Sequence, residues 1–188
     1  RPVTRGTAQS DDVYFQTRVL QSTHYAQIPD VVNEYMQEIS KLTGREYAPF
    51  VYYGDKDATD VIVAMGSVLD TATQTVDYLL SQGKKVGLLK VYLYRPFAED
   101  YMLKVLPKTV ERITVLDRTL EAGATGDPLF LDVTSVFYNQ EKQPKILSGR
   151  YGLSSKDVTP AQIVAVYDNM MGAQKDHFNV GINDDVTN

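Results

Sequence analysis

The chain has 188 residues, with a hydrophobic fraction of 43%, a charged fraction of 23% and a formal net charge of −5, values typical of one globular domain with a sizeable core. The negative charge, together with the lack of a Lys/Arg block, argues against nucleic acid or an anionic membrane as a partner. Because the chain has no cysteine and two histidines, His24 and His177, disulfides, cysteine-bound zinc or iron–sulfur clusters and multi-histidine metal sites are excluded.

The first predicted element is an extended arm over residues 1–27, which show no periodicity and are rich in Thr, Gln, Ser and Asp. Within it, residues 13–15 are predicted to form a short strand or an anchoring plug. From 28 to 42 the apolar residues follow one helix face. Pro29 suits the first turn of this helix and Gly44 its end. A linker with an aromatic cluster then follows, at Phe50, Tyr52 and Tyr53.

The rest of the chain alternates short apolar runs with amphipathic segments. The apolar runs predict buried parallel strands at 61–65, 86–93, 112–116 and 145–147. The segments between and after them predict helices at 69–80, 96–106, 129–137 and 160–170. Three helix starts carry cap signals: Ser67 with Asp70, Asp127 before Pro128, and Thr159 with Gln162.

Strands that alternate with helices predict an α/β fold, a three-layer α/β/α arrangement with an open, mostly parallel sheet. The predicted domain covers residues 28–172, and residues 173–188 form a tail toward a following domain. The start at Arg1 and the polar end at 183–188 indicate a segment cut from a longer polypeptide.

The loop after the third predicted strand, residues 117–127, is the first candidate for ligand binding, because ligands of such sheets lie at the carboxyl ends of the strands. It leads into a helix N-terminus, which can bind an anion. It lacks the motifs of phosphate and dinucleotide loops, and Asp127 at the cap would repel phosphate. Plain turn chemistry is therefore favoured here.

The other candidates also favour structural roles. Ser67 lacks the motif of a nucleophile elbow and a histidine in the strand–helix core, so capping is favoured over nucleophilic catalysis. His24 and His177 are interpreted as surface or packing residues. Arg95 is predicted to pair with a carboxylate such as Asp117. Two groups of tyrosines are interpreted either as contact surfaces for other domains or as ordinary packing: Tyr47, Tyr52 and Tyr53, and Tyr92, Tyr94 and Tyr101.

Several longer motifs carry a resemblance to a known family. They are Leu93-Tyr94-Arg95-Pro96-Phe97, Gly126-Asp127-Pro128-Leu129 and Ser148-Gly149-Arg150-Tyr151-Gly152-Leu153, together with residues 2–9, 14–16, 113–119, 166–170 and 184–187. The chain resembles the C-terminal domain of transketolase-type thiamine diphosphate enzymes. More specifically, it resembles the second domain of the pyruvate:ferredoxin (flavodoxin) oxidoreductases.

The resemblance implies a segment of a homodimeric enzyme that converts pyruvate and coenzyme A to acetyl-CoA and carbon dioxide. That enzyme would use thiamine diphosphate and [4Fe–4S] clusters, with ferredoxin or flavodoxin as electron acceptor. The segment would join other domains of the same polypeptide, with no catalytic, cofactor-binding or metal-binding residue of its own. Its tail at 184–187 would adjoin a domain that helps bind coenzyme A. The implied location is cytoplasmic, or a hydrogenosome-like organelle if the source is an anaerobic eukaryote. Two alternatives stay open, a free-standing protein-interaction module and a small Rossmann-like nucleotide-binding domain.

Overall fold

The computed structural model describes residues 2, 3, 6 and 8–182. The chain divides into two compact units, Arg1–Tyr47 and Ala48–Asn188. The predicted features at 184–187 and part of the motif at 2–9 lie outside the described residues.

The first unit contains one long helix, α1, at Asp11–Thr43. The prediction of an extended arm is therefore wrong for residues 11–27, and residues 13–15 are exposed helical residues rather than a strand. The alternative prediction, that they form an anchoring plug, stays a prediction. Two acidic residues in the first turn favour a helix that begins at Asp11. Pro29 lies inside α1 rather than in its first turn, so the predicted boundary between residues 27 and 28 falls within a helix.

Gly44 ends α1 as predicted. Its φ of 68° is left-handed, and its N–H donates to the Ser40 carbonyl at 2.9 Å, the geometry of a glycine C-cap. The hydroxyl of Ser40 accepts from the Tyr47 N–H at 2.9 Å, which folds the chain after the helix back onto its last turn.

The second unit is built on a six-stranded sheet with the order β1-β3-β2-β4-β5-β6. All strand pairs are parallel except β1 with β3. The four predicted strands are confirmed, within a few residues at their ends. Two strands were missed: β1, in the predicted aromatic linker, and β6, in the predicted tail. The strands are β1 Phe50–Gly54, β2 Asp60–Ala64, β3 Val86–Val91, β4 Arg112–Asp117, β5 Lys145–Arg150 and β6 Phe178–Asn179.

Helices cover both faces of this sheet, which confirms the three-layer α/β/α fold. One core cluster joins α2 and α5 to one face, and a second joins α3 and α4 to the other. Strand β2 is buried along its whole length between them. The helices are α2 Val68–Ser81, α3 Glu99–Val105, α4 Pro128–Phe137 and α5 Pro160–Met171, with a short 3-10 turn at Leu153–Ser155.

The predicted caps have different outcomes. Thr159 and Gln162 form the predicted capping box at the start of α5. The capping box predicted at Ser67 is wrong, because Ser67 already has helical dihedrals (φ −65°, ψ −23°) and its side chain caps no backbone N–H. Asp127 is the N-cap residue of α4 as predicted, with Pro128 in the first turn, but its side chain makes no cap hydrogen bond to the helix.

Helix α3 begins at Glu99 rather than at Pro96, which corrects the predicted start. The Arg95–Pro96 peptide bond is cis. The acidic residues Glu99 and Asp100 lie in the first turn, where they interact favourably with the helix dipole. Phe97 packs edge-on against Phe50 of β1, with ring centroids 5.4 Å apart, and fixes this segment to the sheet.

Candidate functional site

The carboxyl edge of the sheet contains a switch point between β2 and β4. From β2 the chain passes through α2 to β3 on one side, and it then returns through α3 to β4 on the other side of β2. Ligands of open α/β sheets bind outside the carboxyl ends of the strands at such a point. The residues that follow β2, β4 and β5 therefore form the candidate site.

On the α4 side of this edge, the chain's own carboxylates occupy the backbone donors. The Asp117 carboxylate at the end of β4 accepts hydrogen bonds from the N–H groups of Leu129 at 2.9 Å and Phe130 at 3.0 Å. These two groups belong to the first turn of α4, where a bound anion would otherwise find its donors. An internal carboxylate thus takes the place that a phosphate would occupy in the predicted loop.

Asp127 closes the same loop from its other end. Its carboxylate accepts from the Glu121 N–H at 2.9 Å and forms an ion pair with the Arg150 guanidinium, with Nε and Oδ2 2.5 Å apart. The Asp127 side chain is fully buried, and that of Arg150 is 19% exposed. The carboxylates of Asp117 and Asp127 therefore stabilise the loop and its junction with α4.

Burial raises the pKa of Asp117 above its ordinary value, and the nearby charges of Asp127 and Asp132 raise it further. The two backbone hydrogen bonds lower the pKa and so oppose this shift. The balance reflects a carboxylate that is removed from water but supplied with fixed donors.

On the α2 side, the same edge holds an open polar pocket of about 200 Å³. The start of α2 forms one wall through Ser67 and Thr71, and the segment after β5 forms the other, where Lys156 lies. The Tyr151 hydroxyl donates to the Met65 carbonyl at 3.0 Å, which joins the ends of β5 and β2 beneath the pocket. Arg118, the residue after β4, completes the lining.

Arg118 is held in place by the turn after β5. Its Nε donates to the Gly152 carbonyl at 3.0 Å and its Nη2 to the Ser155 hydroxyl at 3.1 Å. These acceptors are uncharged, so they orient the guanidinium without neutralising it. Arg118 falls within the sequence motif at 113–119 and had no predicted role. Its position directly after a buried strand was the signal for one.

The histidines do not join this pocket. His24 lies in α1. His177 has its Nε2 3.8 Å from an Asp176 carboxylate oxygen and its ring centroid 5.8 Å from that of Phe130. Ser67 lines the pocket, and no histidine of the described residues lines it with Ser67.

Arg95 does not pair with Asp117. It forms an ion pair with Asp132 of α4 at 2.7 Å and stacks over the Tyr94 ring at 4.0 Å. Asp117 is already committed to the N–H groups of α4, whereas Asp132 lies one turn further along that helix and reaches the surface. The prediction that Arg95 forms an ion pair is thus confirmed, but the predicted partner, Asp117, is wrong.

The tyrosines divide between packing and surface. Tyr52, Tyr53, Tyr94 and Tyr101 all pack against the two core clusters. The Tyr52 hydroxyl donates to the Asp55 carbonyl at 2.6 Å. Packing therefore accounts for most of both groups, and Tyr92 stays 45% exposed.

Two further findings bear on cofactors and membranes. Across residues 8–182 and the described residues before them, no three acidic or histidine side chains are grouped so that they could hold a metal ion. Within that same part of the chain, no helix is both long enough and apolar enough to cross a membrane.

The topology, the helices on both faces and the switch-point pocket define an open, mostly parallel α/β domain. The family model described as pyruvate:ferredoxin oxidoreductase core domain II matches residues 58–163. The chain belongs to this family, which confirms the resemblance found in the sequence.

Relatives match along nearly the whole chain. The pyruvate-flavodoxin oxidoreductases of Enterobacter agglomerans and Klebsiella pneumoniae are 52% and 53% identical to it, each over 99% of this chain and 16% of the relative. The pyruvate:ferredoxin oxidoreductase of Moorella thermoacetica is 48% identical over 99% of this chain and 16% of its own length. The chain thus spans a small part of each relative.

Among solved structures, an inactive tetramer of a split-gene transketolase aligns with 66% of this chain and 39% of its own. The TM-score is 0.45 and the sequence identity 13%.

Proposed function

We propose that the chain is the second domain of a pyruvate:ferredoxin or pyruvate:flavodoxin oxidoreductase, in which it joins other domains and carries out no catalytic step itself. The longer protein would convert pyruvate and coenzyme A to acetyl-CoA and carbon dioxide, and would pass the electrons to ferredoxin or flavodoxin. One observation carries this proposal: 99% of the chain aligns, at 52% and 48% sequence identity, with 16% of the length of two pyruvate oxidoreductases.

The cofactors belong to the longer protein in this proposal. Thiamine diphosphate, [4Fe–4S] clusters and coenzyme A would be bound by other domains, and the longer protein would be a cytoplasmic homodimer. The carboxyl edge of the sheet agrees with a structural role on the α4 side, where Asp117 and Asp127 are committed to internal contacts.

Calorimetric titration tests this assignment. We expect thiamine diphosphate to bind the 188-residue chain no more tightly than inorganic diphosphate does, because the proposal gives the chain no contacts for the thiamine rings. The full-length enzyme that contains the chain should show saturable binding under the same conditions. Tight binding of thiamine diphosphate to the chain alone, well above that of diphosphate, would contradict the proposal.

Helix α1 offers a surface suited to another domain. One face of this helix carries four apolar residues at intervals of four, four and three residues. These residues, with the exposed fraction of each, are Val31 (49%), Tyr35 (63%), Ile39 (46%) and Leu42 (86%). An apolar stripe of this kind on a helix is typical of a face that packs against a partner surface. We propose that it packs against another domain of the same polypeptide.

Replacing both Tyr35 and Leu42 with glutamine tests this surface. In the 188-residue chain, the free energy of unfolding should change by less than about 0.5 kcal/mol per site, because both side chains are exposed. In the full-length enzyme, pyruvate oxidation should fall about tenfold or more, since two buried apolar anchors would be lost.

The exposed Tyr78 of α2, replaced with glutamine in the same two proteins, is the matched control and should affect neither. Unchanged activity and an unchanged sedimentation profile in the full-length double variant would show that the stripe packs against no other domain.

A further inference from the structure

The polar pocket at the switch point has an excess of positive charge. Two cations, Arg118 and Lys156, line it against one carboxylate, Asp157. Among the described residues, neither cation has a carboxylate within ion-pair distance. Arg118 is already oriented by neutral acceptors. This local charge is opposite in sign to the net charge of −5 of the chain.

The remaining lining supplies hydrogen-bond donors. Three hydroxyl residues, Ser67, Thr71 and Ser155, line the pocket, and the Ser155 hydroxyl already accepts a hydrogen bond from Arg118. The side chain of Ser67, the N-cap residue, makes no cap hydrogen bond to α2, which begins at the pocket wall. The helix dipole and the backbone N–H groups at that end attract an anion; Asp70 in the first turn opposes this attraction, and the Leu69 N–H already donates to the Gly66 carbonyl. The cations, the hydroxyls and the helix start thus converge on one space.

The size of the pocket limits the ligand. About 200 Å³ is less than the roughly 300–1,000 Å³ of pockets that enclose drug-sized molecules. It is several times the roughly 30 Å³ that one water molecule occupies in the liquid. A phosphoryl group fits this range, whereas a whole nucleotide does not.

We propose that this pocket binds a small tetrahedral oxyanion, either free phosphate or the terminal phosphoryl group of a larger ligand, through Arg118, Lys156 and the N-terminus of α2. The site lies at the point where ligands of open α/β sheets bind. Arg118 of loop 117–127 lines this pocket, but the pocket is distinct from the α4 end of that loop, where Asp117 and Asp127 accept from the backbone N–H groups. The site does not depend on the proposed parent enzyme.

The test is an NMR titration of the 188-residue chain with inorganic phosphate at constant ionic strength. Saturable shifts of backbone amides at residues 66–71 and 152–158 are expected. Lys156→Gln should weaken binding about tenfold, because it removes one charge-assisted contact. Thr71→Glu should abolish binding, since it places a carboxylate in the pocket. Lys104→Gln, an exposed lysine of α3, is the matched control and should bind as the wild type does.

Arg118 also supports the turn after β5, so the two substitutions at Lys156 and Thr71 carry the test. Acetate at the same concentration should not compete. Methyl phosphate that binds as well as phosphate would identify the ligand as a phosphoryl terminus, and binding of phosphate alone would identify the free ion. The proposal is overturned by non-saturable shifts, by equal affinity in the Lys156→Gln variant, or by equal binding of acetate.

Discussion

Replacing Arg150 with methionine is expected to lower the free energy of unfolding by about 3–5 kcal/mol, the usual cost of removing one partner of a buried ion pair. The Asp127 carboxylate is fully buried, and it would keep only its hydrogen bond from the Glu121 N–H. Methionine preserves most of the apolar stem of arginine, so the loss should come mainly from the uncompensated charge. Urea unfolding at pH 7, followed by circular dichroism, measures it.

The double variant Asp127→Asn with Arg150→Met separates this cause from lost packing. It should recover a substantial part of the stability, because no buried charge is then left without a partner. Arg45→Met, at an exposed arginine after α1, is the control and should change stability by less than about 0.5 kcal/mol. A loss of less than about 1 kcal/mol in the Arg150→Met variant would contradict a stabilising role for the pair.

The buried strands and the helices that cover them were predictable from local patterns. Residues 61–65 form a continuous apolar run, which is typical of a parallel strand buried on both faces, and β2 is that strand. The inward face of α5 follows helical spacing, and Ile163, Val166, Tyr167 and Met170 are all buried. In both elements, the pattern of apolar residues along the sequence shows which side chains are buried.

Local patterns failed where burial is partial or composition is polar. Strand β1 is an edge strand with one fully buried residue, Phe50. Its sequence therefore shows neither a buried apolar run nor a regular apolar–polar alternation, and it was predicted to be an aromatic linker. Residues 11–27 of α1 are rich in Gln, Ser and Thr and expose their apolar side chains. Without a buried face, this part of the helix has no periodicity to detect.

The polar contacts at the carboxyl edge could not be predicted because they join residues distant in the sequence. Asp127 and Arg150 are 23 residues apart, and Arg118 and Ser155 are 37 apart. Arg95 was predicted to pair with Asp117 since both follow strands at the same edge. Which acidic residue it meets depends on where α4 lies, and that position is set by packing on the sheet. The residue types were visible in the sequence, but their partners were not.

Replacing Asp117 with alanine is expected to lower the free energy of unfolding by about 2–4 kcal/mol, because it leaves two backbone donors at the start of α4 without an acceptor. Leu129 is fully buried, so water cannot easily replace the carboxylate at its N–H. Asp117→Asn keeps one acceptor oxygen and should cost about half as much. Asp168→Ala, at an exposed carboxylate of α5, is the control, with an expected change of less than about 0.5 kcal/mol. Denaturant unfolding at pH 7 compares the three variants.

The pH dependence distinguishes the carboxylate's charge from its hydrogen bonds. Because burial raises the pKa of Asp117 in the folded protein, the protonated side chain contributes stability that is fully present below the ordinary carboxyl pKa. That contribution is lost as the pH rises through the raised value. The Asn variant lacks this titration, so its stability deficit relative to the wild type should be largest near pH 4 and should shrink toward pH 7. A deficit that grows with rising pH would mean that the α4 donors outweigh burial and lower the pKa of Asp117.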